Sequence, residues 1–213
     1  MRDAGCEVRA LEELCDFADS VFVEDTAIVL DNVAVLTLPG AVSRQGEIES
    51  MAAALADYRE CFKIQAPGTL DGGDVLRLGR VLCVGASARS TIEGVEQLRR
   101  LVAKFGYRVE AVPLNGCLHL KSAVTQVAPD LLLINPDWVD THRFAGYRLL
   151  AVDADEPFAA NAVWLGERVV YSSSFPRTAE KLRDAGIDVH LVEMSETEKA
   201  EGGVTCCSVI FDC

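Results

Sequence analysis

The sequence predicts an α/β fold assembled from repeated ββαβ modules. Three observations lead there. Apolar, β-branched runs pair across short turns, helical segments follow them, and the pattern returns at a nearly constant interval. One polar residue heads the opening strand of each repeat: Asp25, Asp74, His119, Asn161 and Cys206. Their spacings are 49, 45, 42 and 45 residues, and a near-constant period marks a modular array.

The elements follow in order. "VFVEDTAIVLDNVAVLTLPG" (21–40) reads as a hairpin turning at "LDN", because two β-branched runs flank a turn signal. "GEIESMAAALADY" (46–58) reads as a helix with acidic residues in its first turn, and "CFKIQA" (61–66) as a closing strand. The second module repeats this. "GGDVLRLGRVLCVG" (72–85) is a hairpin around Leu78-Gly79-Arg80, and "YRVEAVP" (107–113) closes it. Between them "STIEGVEQLRRLVAKFG" (90–106) is a helix, with Ser90 as N-cap, Glu93 three residues on and Gly106 as C-cap.

The third module opens with "CLHLKSAVTQVAPDLLLIN" (117–135), passes a short helix near "PDWVDTHRF" (136–144) and closes with "YRLLAVD" (147–153). The fourth comprises "ANAVWLGERVVYS" (160–172), the helix "PRTAEKLRDAG" (176–186) and "IDVHLVEM" (187–194). The fifth opens with "GVTCCSVIF" (203–211), and "CEVRALEE" (6–13) supplies its closing strand. A helix and a strand that would complete it are expected upstream of Met1. Modules closing into a ring would turn all five heads toward one central channel. A turn-adjacent polar residue accounts for one such head. Five in register, with a cysteine and a histidine among them, point to a shared site.

The bulk numbers narrow the function classes. The chain has 213 residues, 50% hydrophobic and 25% charged, with no Pro/Gly/Ser linker, so a single domain over 1–213 is expected. A net charge of −13 argues against nucleic acid, which requires a basic footprint, and fits cationic small substrates by steering. No apolar stretch reaches membrane-spanning length, and "MRDAGCEVRALEEL" has no signal-peptide core. A cytoplasmic location and no membrane partner follow as expectations. The eight cysteines then read as mostly reduced thiols, and none sits in a CxxC pair.

Several motifs together carry a resemblance: "DSVFVED" (19–25), "PGAVSR" (39–44), "LDGGDV" (70–75), "HLKS" (119–122), "MSETEKAEGG" (194–203) and "TCCSV" (205–209). The chain resembles the dimethylarginine dimethylaminohydrolases of the pentein, or guanidine-modifying, superfamily over essentially its whole length. The resemblance implies a five-module αβ propeller of ββαβ units around a central channel, here with one module incomplete, forming one catalytic domain. It implies hydrolysis of Nω-methylated arginines to citrulline and methylamine or dimethylamine, with no cofactor. It further implies that Cys206 is the nucleophile, His119 the general acid/base and Asp71 the residue orienting the histidine. Glu24 and Asp25 match the acidic guanidinium pocket. Asp19 and the backbone near Ala200 match α-amino contacts, and Arg44 and Arg89 match the pair holding the α-carboxylate. Cys207 is carried over as a neighbour only.

The chemistry calls for these residue types. A guanidinium is a poor electrophile, and a thiolate is a strong, soft nucleophile. A bound cation and a protonated histidine both favour thiolate over thiol. An amine leaves readily only once protonated, and histidine is the usual acid near neutrality. Carboxylates hold guanidinium N–H groups, and arginines hold carboxylates. Plainer readings stand beside these. Cys206 and Cys207 suit a buried strand, His119 between Leu118 and Leu120 suits a core position, and "DGGD" suits a turn. Asp74 is read as structural, and His142 and His190 as surface or packing residues. Glu24 and Asp25 resist a plain reading, because adjacent strand positions face opposite sides and both are charged.

Two other functional readings remain. One is a different guanidine hydrolase, such as an arginine deiminase, using the same Cys, His and acid. The other is a truncated, non-catalytic binding relative, or a chain whose gap is filled by a second copy in a homodimer. No metal is required, although Cys206 and His119 across a channel would make an inhibitory zinc site.

Overall fold

The computed structural model describes residues 1–212. The chain divides into two compact units. The first takes residues 10–114, 118–120 and the segment from Cys206 onward; the second takes residues 1–9, 115–117 and 121–205.

The first unit holds two mixed sheets of identical connectivity. In one, β1 (Ala27–Val29) runs antiparallel to β2 (Val33–Leu36), with Ala27 opposite Leu36. After α1 (Ile48–Leu55) the chain returns as β3 (Glu60–Lys63), parallel to β2 with Val33 opposite Glu60. In the other, β4 (Val75–Leu78) and β5 (Val81–Ala86) form a hairpin, and β6 (Arg108–Pro113) pairs parallel to β5. Gly79 turns that hairpin at φ +60°, a region glycine enters without strain. Between β5 and β6, α2 (Ile92–Ala103) buries Val95, Leu98 and Val102, spaced three and four apart on one face. These side chains join Ile28, Val33, Val35, Leu82 and Val84 in one apolar core. A helix links β2 to β3 and β5 to β6 because parallel neighbours need a crossover.

The second unit repeats the scheme twice. β7 (Val124–Ala128), β8 (Leu131–Ile134) and β9 (Arg148–Ala151) form one sheet. β10 (Val163–Leu165), β11 (Arg168–Ser172) and β12 (Asp188–Val192) form the other. The third module's crossover is a 3-10 turn, Thr141–Phe144, capped by Asp140. The fourth uses α3 (Pro176–Asp184), with Pro176 in its first turn. Buried Glu156 accepts the free N–H groups of Arg177 and Thr178 at 2.9 and 2.8 Å, which satisfies that helix start. Two four-residue helices complete the list: Leu120–Ala123, directly after His119, and Ser195–Glu198.

Four expectations are corrected. "VEDT" is not strand but a 3-10 turn, Val23–Thr26. The N-cap of α2 is Thr91, whose Oγ1 accepts from Gly94 N–H, because the Ser90 hydroxyl instead donates to Asp74. Neither "CEVRALEE" nor "GVTCCSVIF" forms a strand. In the latter, Val209 and Phe211 still pack beside Leu36, Met51 and Leu55, so their apolar pattern is satisfied by side-chain burial without a backbone ladder. Among the described residues there are four three-stranded sheets, one for each of the first four modules.

Candidate active site

The site is built in the first unit around "DGGD". Asp71 is fully buried. Its Oδ1 accepts Gly40 N–H at 2.8 Å, and its Oδ2 lies 3.0 Å from His119 Nε2. Gly72–Asp74 form a 3-10 turn that brings the second aspartate under the same histidine. Asp74 Oδ1 accepts Leu120 N–H at 3.0 Å, and its Oδ2 accepts the Ser87 and Ser90 hydroxyls at 2.5 and 2.6 Å. One aspartate therefore holds the His119 ring and the other holds the backbone beside it. The glycines permit this by bulk alone. A Cβ on Gly72 would lie 2.0 Å from the Glu24 carbonyl, and one on Gly73 would lie 2.8 Å from both Asp25 Oδ1 and His119 Nδ1.

Asp25 comes from the neighbouring 3-10 turn. Its Oδ1 accepts Gly73 N–H at 2.9 Å and stands 4.0 Å from His119 Nε2. Its Oδ2 accepts Arg44 Nη1 at 2.6 Å. Its carbonyl accepts the Thr37 hydroxyl at 2.6 Å. One residue earlier, Glu24 N–H donates to the Cys206 carbonyl at 3.0 Å. The acidic turn is thus tied through its backbone to the cysteine turn.

Electrostatics follow the geometry. Burial works against a charged His119. The hydrogen bond to Asp71 and the charges of Asp25, Asp74 and Asp71 together outweigh it, and its pKa is pushed up to about 9. His119 is then an imidazolium at neutral pH. Burial raises the Asp74 carboxyl, against the opposing pull of His119, Ser87, Ser90 and the Leu120 N–H. Desolvation, then Glu24, raises the Cys207 thiol. Desolvation also opposes the Arg44 charge, but Glu47 and Asp25 overcome it and raise Arg44 above the ordinary arginine range.

Each expected site residue has a definite place. Asp71, Asp25 and His119 converge, with ligand-capable atoms within 4.8 Å of one another. Glu24 is buried, Cys206 and Arg89 are half-buried, and Asp19 and Cys207 are exposed. Among the described residues the Arg89 guanidinium makes no hydrogen bond or ion pair, whereas Arg44 is buried and bonded to two carboxylates. Ala200 belongs to the second unit, where its N–H donates to the Thr197 carbonyl. His142 and His190 are exposed. The Asp25–Asp71–His119 donor set suits a proton better than a metal. A metal would have to break the Asp71–His119 hydrogen bond and sit beside Arg44, which already takes Asp25 Oδ2. Of the described cysteines, all seven are free thiols.

Sequence reading missed Glu47, Ser87 and the closeness of Gly73 to His119. Glu47 looked like an ordinary acidic residue at a helix start. Its spacing of three from Arg44 was the available signal, since i, i+3 neighbours share one face.

No family model matches the chain. Among the curated proteins that do match, two are dimethylarginine dimethylaminohydrolases. The one from Streptomyces coelicolor is 42% identical over 207 residues, covering 96% of this chain and 79% of that protein. The one from Pseudomonas aeruginosa is 36% identical over 197 residues, covering 92% and 78%. The chain belongs to the dimethylarginine dimethylaminohydrolase family. Solved structures agree. A cysteine-to-serine mutant of the P. aeruginosa enzyme complexed with citrulline superposes with a TM-score of 0.87 at 34% identity, covering 90% of this chain and 76% of that one. An amidinotransferase from Microseira wollei matches in fold alone, with a TM-score of 0.88 at 17% identity, covering 97% and 78%. The chain therefore has the α/β pentein-like fold, with four small mixed sheets among its described residues. No helix among its described residues is long and apolar enough to cross a membrane.

Proposed function

We propose that this chain hydrolyses Nω-methylated arginines to L-citrulline and dimethylamine or methylamine. Cys206 attacks the guanidinium carbon, the amine leaves, and water hydrolyses the S-linked thiouronium intermediate. His119 gives a proton to the departing nitrogen and then takes one from the attacking water. Asp71 holds the His119 ring. Asp25 and Glu24 receive the guanidinium. Asp19 and the backbone near Ala200 meet the α-amino group, and Arg89 meets the α-carboxylate. Arg44 is the second arginine expected at that carboxylate, and its donors in the structure lie on Asp25 and Glu47. The finer architecture in this reading is the five-module propeller, its channel lined by the module heads, working in the cytoplasm on a small substrate without a cofactor.

The observation that carries the proposal is the buried His119 between Asp71 and Asp25, in a chain of this family. An imidazolium is the form needed to protonate an amine leaving group. A buried carboxylate is what a cationic substrate centre requires. The Glu24–Cys206 backbone bond gives the carboxylates and the nucleophile a common frame.

The test is citrulline release from asymmetric dimethylarginine, with arginine in parallel and Cys206→Ser as control. Citrulline from the dimethylated substrate only, abolished in Cys206→Ser, is the expected result. Turnover of arginine would move the assignment to another guanidine hydrolase. No turnover of either would leave a binding relative.

A further inference from the structure

Asn161 heads the fourth module and has no part in the reaction above. It is 8% exposed and stands on a fixed floor. Ala159, Ala160 and Ala162 beside it belong to the apolar core of the second unit. The Ala159 carbonyl accepts the Tyr171 hydroxyl at 2.6 Å, and the Ala160 carbonyl accepts the Thr125 hydroxyl at 2.7 Å. From that floor the side-chain amide reaches two other segments of the same unit. Nδ2 donates to the Lys121 carbonyl at 3.1 Å and to Thr205 Oγ1 at 2.9 Å, and Oδ1 accepts Thr205 N–H at 3.0 Å. A carbonyl only accepts and an N–H only donates, so these partners fix which way the amide faces. A Cβ on Gly203 would collide with the same amide, so the backbone before Thr205 runs flush against it.

The partners lie at telling places in the chain. Lys121 is two residues after His119, and Thr205 is the residue before Cys206. One buried amide thus holds both the chain leaving the histidine and the chain entering the cysteine. A buried amide is costly unless its polar atoms are paired. Here both of its polar atoms are, and each pairing ends beside a reacting group. Resting on the methylarginine reading above, we propose that Asn161 is a positioning residue for Cys206 and His119. By clamping Thr205 and Lys121 it sets where the sulfur and the imidazole meet the guanidinium, and it therefore serves the chemical step and not substrate binding.

The test measures kcat and KM for asymmetric dimethylarginine in the parent chain, Asn161→Asp, Thr205→Val and Thr205→Ser. Inhibition by L-citrulline reports binding, and thermal melting reports the folded fraction. Asn161→Asp keeps an acceptor for Thr205 N–H but turns an oxygen toward the Lys121 carbonyl. Thr205→Val keeps shape and charge but loses Oγ1, which Thr205→Ser retains. Leu98→Ala, destabilised in the core of the other unit, is the control for stability alone. Asn161→Asp is expected to lose about tenfold or more in kcat, as misplaced reacting groups do, with KM and citrulline inhibition within about twofold of the parent. Thr205→Val is expected to lose about fivefold in the same pattern, and Thr205→Ser to stay within about twofold of the parent. Unchanged kcat in a folded Asn161→Asp or a folded Thr205→Val overturns the proposal alone. So does a loss carried by KM and citrulline binding, which would assign Asn161 to the substrate pocket. A kcat loss matched by Leu98→Ala at an equal fall in melting temperature, no recovery in Thr205→Ser, or failure of both Asn161→Asp and Thr205→Val to fold assigns the clamp a structural role and also overturns it. A parent chain that releases no citrulline overturns the methylarginine reading and this inference together.

Discussion

His119 sits where burial alone would remove its proton, yet three aspartates keep it charged. The hydrogen bond to Asp71, 3.0 Å from Nε2, is the strongest of the influences that favour the charge. Asp71→Asn is therefore expected to lower the His119 pKa from about 9 toward the ordinary histidine range. As an acid, His119 works only while protonated, so the alkaline fall in citrulline release moves to lower pH in that variant. The pH–rate profile of kcat/KM shows this directly; an unmoved alkaline limb would remove Asp71 from the role given it here. At this scale the sequence was legible where residue type and chemistry coincide, as for His119 and Asp71. It was silent about Glu47, because a carboxylate at a helix start has an ordinary explanation and its partner Arg44 was matched to a substrate carboxylate.

The element that organises the site is the turn Gly72–Asp74. Its two glycines lie against the Glu24 carbonyl and the Asp25 and His119 side chains, so side-chain bulk is excluded on both. Gly72→Ala sets a methyl against backbone, which is expected to cost about 1–3 kcal/mol as overpacking does and to lower citrulline release by displacing the turn tied to Cys206. Gly79→Ala is the comparison. Its φ is +60° but nothing lies within 4 Å, so it is expected to destabilise by about 1 kcal/mol and leave activity intact. Urea titration and the citrulline assay on the two variants separate crowding from backbone strain. The sequence placed a turn at "DGGD" from its composition. Which neighbours forbid a Cβ depends on long-range packing, and that is invisible to a local pattern.

For the molecule as a whole, the apolar cores and His119 set the stability. Leu98 is fully buried in the core shared by the first unit's sheets, and Leu98→Ala is expected to cost about 2–5 kcal/mol by lost transfer energy and cavity formation. His119 makes stability depend on pH. Its folded pKa of about 9 exceeds the unfolded value of about 6.5. The stabilisation it brings is therefore fully present below about pH 6.5 and lost as pH rises through about 9. The loss is of order 3 kcal/mol. Denaturant midpoints at pH 6 and pH 10 are expected to fall further in the parent chain than in His119→Asn. Equal falls would show that His119 is not charged in the folded state.

The sequence by itself determined the order of hairpin, helix and closing strand in four modules. It also determined the identity of the residues heading them and the family resemblance those residues carry. These are readable because alternation, helical period and turn chemistry act over a few residues. The tertiary structure alone decided that the fifth module's segments form no sheet, since a strand needs a neighbour for its backbone hydrogen bonds and side-chain burial does not supply one. It alone decided that Arg44 turns inward to Asp25 and Glu47, because a buried guanidinium goes where carboxylates and carbonyls converge. Those partners come from separate stretches of chain, and only folding sets them 2.6–3.3 Å apart.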